Sequence, residues 1–186
     1  MKRFVLAVAL LLSLLVTVLP AHAAGAETQH FSFKGQFAEA SFQSVDSSGC
    51  IKTVVTVIAQ DGRIKQAGPP EATARGEINL FQIDTCAGRL LLSAFGLLTL
   101  TPEQFQIDKH LNAATLSAII EITDVVSGNA FPVDVSVNWT GSGDIVRLKD
   151  PVHGTSRNAT ASGTVSDGTT NFTPQLAVSA DMGSTK

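Results

Sequence analysis

Residues 114–140 carry the pattern that most constrains the fold. Leu116, Ala118, Ile120 and Ile122 occupy alternate positions, with Thr115, Ser117, Glu121 and Thr123 between them and Ile119 as the exception. Ser127, Gly128 and Asn129 then give a turn signal. Beyond it Phe131, Val133, Val135, Val137 and Trp139 alternate with Pro132, Asp134, Ser136, Asn138 and Thr140. Period-two alternation means two strands, each with one buried and one wet face, and it assigns Trp139 to the core. The spacing predicts a four-residue loop over 127–130. That loop pairs Val126 with Phe131 and sets Thr123 opposite Asp134 and Glu121 opposite Ser136. A register shifted by two would oppose Glu121 to Asp134, and like charges directly opposite are unfavourable. Pro132 has no amide hydrogen to donate, so its position must face an edge or a bulge.

The rest of the chain reads the same way, as short Val-, Ile-, Phe- and Thr-rich runs broken by Gly, Pro, Asn and Asp. Residues 51–59 form a β-branched run followed by the turn signal Asp61-Gly62. A loop is expected around Gly68-Pro69-Pro70, a strand over 78–85 and a turn at Cys86-Ala87-Gly88. Residues 90–100 are apolar on both faces, which predicts a central strand covered on both sides or a strand lying at an interface. Residues 31–42 hold one or two strands with Gly35 as a bend. Residues 158–165 and 172–180 read as late strands around a Ser166-Asp167-Gly168 turn, and 181–186 as a frayed tail. Helical signal is weak, confined to one turn over 102–106 and to 108–114. Eight to ten short strands predict an all-β fold, an antiparallel β-sandwich with a closed antiparallel β-barrel as the alternative.

The first residues bound where such a domain works. Lys2 and Arg3 precede an apolar run over 4–19, and Pro20-Ala21-His22-Ala23 supplies the small-residue exit of a secretory signal peptide. The run is shorter than the ~20 residues of a spanning helix. The expected arrangement is a signal over 1–23, removed, and a single domain over 24–186, secreted to an extracellular or periplasmic space, with no transmembrane segment. About 160 residues suffice for one core. The full chain carries 13 Lys and Arg against 16 Asp and Glu. Losing Lys2 and Arg3 leaves 11 against 16, a net charge of about −5, which argues against nucleic acid as a partner.

In an oxidising compartment Cys50 and Cys86 predict a disulfide. If the strands at 51–59 and 78–85 pair antiparallel, the start of one lies beside the end of the other. Both cysteines then fall within the ~4.4–6.8 Å Cα separation that a bridge needs.

Catalytic chemistry has little to draw on. After processing, the histidines are His30, His110 and His153, and no G-x-S-x-G elbow accompanies the many serines. Asp108 and His110 are two apart and would share a face on a strand, but read as an exposed pair near a loop. Glu103, Glu121, Asp124 and Asp134 are candidates for paired-acid glycoside cleavage by residue type alone. The chain has no Tyr and one Trp, which is poor in the aromatics of sugar clefts. Asp61-Gly62, Gly143-Asp144 and Asp167-Gly168 lack the ligand spacing of calcium loops and read as turns. Asn138, Asn158 and Asn171 each begin an Asn-x-Thr glycosylation pattern. The sequence therefore assigns no catalytic, metal or cofactor residue. It predicts a secreted, non-enzymatic β module that binds or builds at a surface, with a surface glycan, a protein or a small apolar ligand as partner classes. The alternatives are a carrier of an apolar ligand inside a barrel and a secreted hydrolase.

Overall fold

In a computed structural model, the described residues are 32–65, 71–149, 153–173 and 177–185. The signal-peptide segment and the Gly68-Pro69-Pro70 loop lie outside them. Among the described residues ten strands follow in chain order: β1 (Ser32–Val45), β2 (Ile51–Lys65), β3 (Glu71–Asp84), β4 (Arg89–Thr99), β5 (Phe105–Ile107), β6 (Ala113–Asp124), β7 (Ala130–Gly141), β8 (Val146–Leu148), β9 (Gly154–Ser166) and β10 (Ser179–Thr185). All pairings are antiparallel, and the order β10-β1-β2-β3-β4-β6-β7-β9 closes because β9 also pairs with β10. β5 adds to β6 and β8 to β9. The all-β antiparallel class read from the sequence is present, with ring-like connectivity.

The alternation dictates what the ring encloses. The inward residues Leu116, Ile120, Ile122, Val133, Val135, Val137 and Trp139 are all buried, while Ile119 is 66% exposed. Phe42, Val55, Val57, Ile78, Leu80 and Met182 fill the same core from the other wall. Trp139 reaches across the interior and its Nε1 donates to the Glu39 carbonyl at 2.8 Å, tying β7 to β1. The indole thereby satisfies the one polar group it carries into an apolar core.

The two walls meet at a narrow join. β4 and β6 share only the pairs Ala94↔Asp124 and Phe95↔Thr123. Next to them a Cβ on Gly96 would fall against the Glu121 carbonyl and the Ile122 and Ile120 methyls. Glycine permits this close crossing of β4 over β6.

Several local expectations are corrected. The β6–β7 register is Thr123↔Ala130, Ile122↔Phe131 and Glu121↔Pro132, four residues from the favoured pairing. The turn is longer because Asp124 ends the strand. Its carboxylate accepts from the amides of Val126 and Ser127 and from the Ser127 hydroxyl. Val125 and Val126 leave the ladder and are 72% and 52% exposed. Pro132 sits beyond the β7–β9 ladder, which begins at Asp134, in line with its missing donor. Gly35 is no bend and Asp61-Gly62 no turn. Gly35 and Gly62 pair directly within the continuous strands β1 and β2, and the Phe33 ring covers both. The expected frayed tail over 181–186 is instead β10 through Thr185, the strand that completes the ring. The 108–114 helix candidate is a loop leading into β6.

Candidate functional site

The proposed disulfide forms. Ile51 pairs with Asp84, which brings the Cα atoms of Cys50 and Cys86 to 5.3 Å. The bond staples the β1–β2 turn to the β3–β4 turn at one end of the ring. Asp46 reinforces that end, accepting from the Ile51 amide at 2.8 Å and from the Ser48 hydroxyl at 2.7 Å.

The opposite end is capped by the loop between β5 and β6. Leu111 turns inward, 1% exposed, in a left-handed conformation at φ 55°. Its amide donates to the Asp108 carbonyl at 2.8 Å. Gln36 Nε2 donates to that same carbonyl, and Arg157 donates to the Leu111 carbonyl, the Asn112 Oδ1 and the Gly143 carbonyl. Asp108 holds the loop with its side chain, accepting from the Asn112 amide and Nδ2. Backbone donation from His110 leads the contacts that lower its pKa. The Asp108–His110 pair is thus a loop device, with His110 exposed.

The candidate acids do not assemble. Glu103 lies exposed in the turn before β5. Asp124 is committed to its turn, and the Ser127 hydroxyl leads the hydrogen bonds that lower its pKa to about 2. Glu121 opposes Pro132 and Asp134 opposes Ile119, so the two carboxylates are diagonal neighbours on the exposed outer wall. Asp61 belongs to β2, Gly143 lies at φ 69° in an exposed loop, and Asp167 caps the Thr169 and Thr170 amides. Among the described residues no group of three or more His, Cys, Asp or Glu is placed to hold a metal ion. Asn138, Asn158 and Asn171 are exposed, and the Asn171 Oδ1 accepts from Thr173. His30 lies outside the described residues.

Two surface features remain. One is an open hollow of about 410 Å³ lined by Arg147, Leu148, Lys149, His153, Gly154 and Thr155. The other is the outer face of β2, β3 and β4, where the register lays side chains in rows. From the disulfide end these rows are Lys52–Ile83–Leu90, then Val54–Phe81–Ser93, then Thr56–Asn79–Phe95, then Ile58–Glu77–Leu97. Phe81, Ile83, Leu90, Phe95 and Leu97 are 38–47% exposed. The outer faces of β6 and β7 carry instead Thr, Ser, Glu, Asn and Asp around Ile119. The expectation of a strand covered on both sides at 90–100 is not met: β4 lies between β3 and β6, but Leu90, Phe95 and Leu97 on its outer face stay in solvent. The contributions of β3 to this surface could not be found before the register was known. No family model, curated protein or solved structure matches the chain.

Proposed function

We propose that the chain is exported and acts as a non-enzymatic binding or surface-structural module, meeting its partner through the outer face of β2–β4. The carrying observation is the cluster of five large apolar side chains left in solvent on that wall, where the outer faces of β6 and β7 carry Ile119 among polar residues. Contiguous apolar surface of this kind marks interaction sites. Support for export comes from the signal pattern over 1–23 and from the Cys50–Cys86 bridge, which an oxidising compartment favours. The large side chains packed inside the ring favour contact on the outside over carriage of a ligand within.

The test places a photocrosslinking amino acid at position 95 and, in a control, at position 119 on the opposite wall. Both are exposed, and the proteins are expressed with the full chain in an exporting host. Adducts from position 95 and none from 119 are expected. Equal labelling at both sites would overturn the reading. So would hydrolysis of an ester, glycoside or peptide substrate that Asp134→Asn or His110→Ala abolishes.

A further inference from the structure

The chemistry of the β2–β4 face identifies what covers it. Resting on the reading of that face as a contact surface, we infer that its occupant is a second copy of this chain, packed as a face-to-face pair with the strands of the two copies reversed in direction.

Size comes first. Five apolar side chains each leave about two-fifths of their surface in water. At roughly 200 Å² per large side chain they expose on the order of 400 Å², in the range of the largest patches on monomers, ~300–600 Å². Val54, Ile58 and the Lys52 stem extend the same rows. The apolar part alone is about half of the ~800 Å² per partner of a stable interface, and the polar residues of the same rows add to it.

Charge then selects the partner. Lys52 stands in the row nearest the disulfide, while Arg89 opens β4 opposite Asp84 and out of that row. Glu77 stands three rows away, and Glu39 of β1 flanks the same row, opposite Ile58. The four rows therefore carry Lys52 at one end and Glu77 flanked by Glu39 at the other, with apolar side chains between and Arg75 one row beyond Glu77. A two-fold axis lying in the contact plane, across the strands and midway along the four rows, exchanges the ends. It sets Lys52 of each copy over the Ile58–Glu77 row of the other, and each Phe95 over the small Ser93 of the other. Self-complementarity of this kind is what an isologous dimer requires, and stacked sheets keep their strand directions within about 30° of alignment. An anionic lipid surface would select a uniformly basic rim, which Glu77 and Glu39 contradict.

Sedimentation velocity on the mature, oxidised protein tests this over a concentration series from about 1 to 100 μM, which brackets micromolar affinity. A reversible monomer–dimer equilibrium is expected. Phe95→Asp should give a monomer with an unchanged circular dichroism spectrum, because the side chain points outward. Lys52→Glu should weaken dimerisation about tenfold. Adding Glu77→Lys to it should restore most of the loss, a rescue that only opposed ends can produce. A wild-type monomer throughout, or a dimer indifferent to Phe95→Asp, would overturn the second copy as occupant. A monomer that floats with phosphatidylglycerol vesicles through Phe95 would also overturn it, while leaving the face as the contact surface. Failure of crosslinking at position 95 in the cell is the separate result that would remove the face itself.

Discussion

At the scale of single residues, Asp124 is the most committed side chain among the described residues. One carboxylate accepts from the amides of Ser93, Val126 and Ser127 and from the Ser127 hydroxyl. It thereby shapes the β6–β7 turn and ties β4 to β6 at their narrow join. Hydrogen bonds to the ionised form hold its pKa at about 2, below the ordinary 3.8. The sign follows: the folded state binds this proton more weakly than the unfolded chain. The stabilisation is complete above pH ~4 and lost as pH falls towards ~2. Asp124→Asn should lower the melting temperature at pH 6, and the gap from wild type should narrow between pH 4 and 2. A gap constant across that range would mean the carboxylate charge is irrelevant to the turn. In the sequence, Asp124 looked like one of several candidate acids. Its role was hidden because its donors come from the turn that it creates itself and from β4, about thirty residues earlier.

Among the strands, what was legible followed local periodicity. β6 and β7 were read correctly as strands, and Trp139 correctly as core, because alternation reports the buried face without reference to any partner. The disulfide was legible because it depended only on two β-branched runs pairing antiparallel. Their register was less accessible, since a turn stabilised by side chains can lengthen without changing the alternation. Glycine misled at 35 and 62, where the compensating Phe33 ring supplies the cover that these residues lack. β10 was missed for a related reason: Ser179, Asp181, Gly183 and Ser184 have little strand propensity, and pairing with β1 and β9 overrides it. β4 shows how an element's limits can be tested. A Cβ at Gly96 would meet the Glu121 carbonyl at 2.5 Å, backbone that cannot rotate away. Gly96→Ala should therefore cost about 1–3 kcal/mol as overpacking does, measured by urea denaturation. A neutral result would show that the β4–β6 crossing can relax. At the other element junction, reduction of Cys50–Cys86 releases a closed loop spanning 36 positions. The chain-entropy argument gives a loss on the order of 4 kcal/mol. An unchanged melting temperature in reductant, with two titratable thiols, would remove the staple from the account.

The whole molecule depends on β10, the last strand, to close the ring between β1 and β9. That seam contains a conflict. Glu39 and Asp181 stand directly opposite one another on the outer face, with Glu77 nearby across Ile58. Burial leads in raising both pKa values, and for Glu39 the charges of Asp181 and Glu77 add to it. Here the sign is opposite to that of Asp124. A carboxyl that holds its proton more tightly when folded favours folding most below its ordinary pKa, 4.5 for Glu39 and 3.8 for Asp181. That advantage disappears as pH rises through the raised folded value, leaving like charges opposed across the closing seam. Glu39→Gln should accordingly raise the melting temperature at pH 7, and the gain should vanish below pH ~4, where both proteins carry a neutral side chain. Asp181→Asn should do the same, and the double variant should gain less than the sum, because either change alone removes the repulsion. Measuring both in a Phe95→Asp background keeps Lys52 of a second copy away from Glu39. A lower melting temperature for Glu39→Gln at pH 7 would mean that the ionised carboxylate stabilises the seam, and closure would then have to be explained by the β9–β10 ladder and the buried Met182 alone.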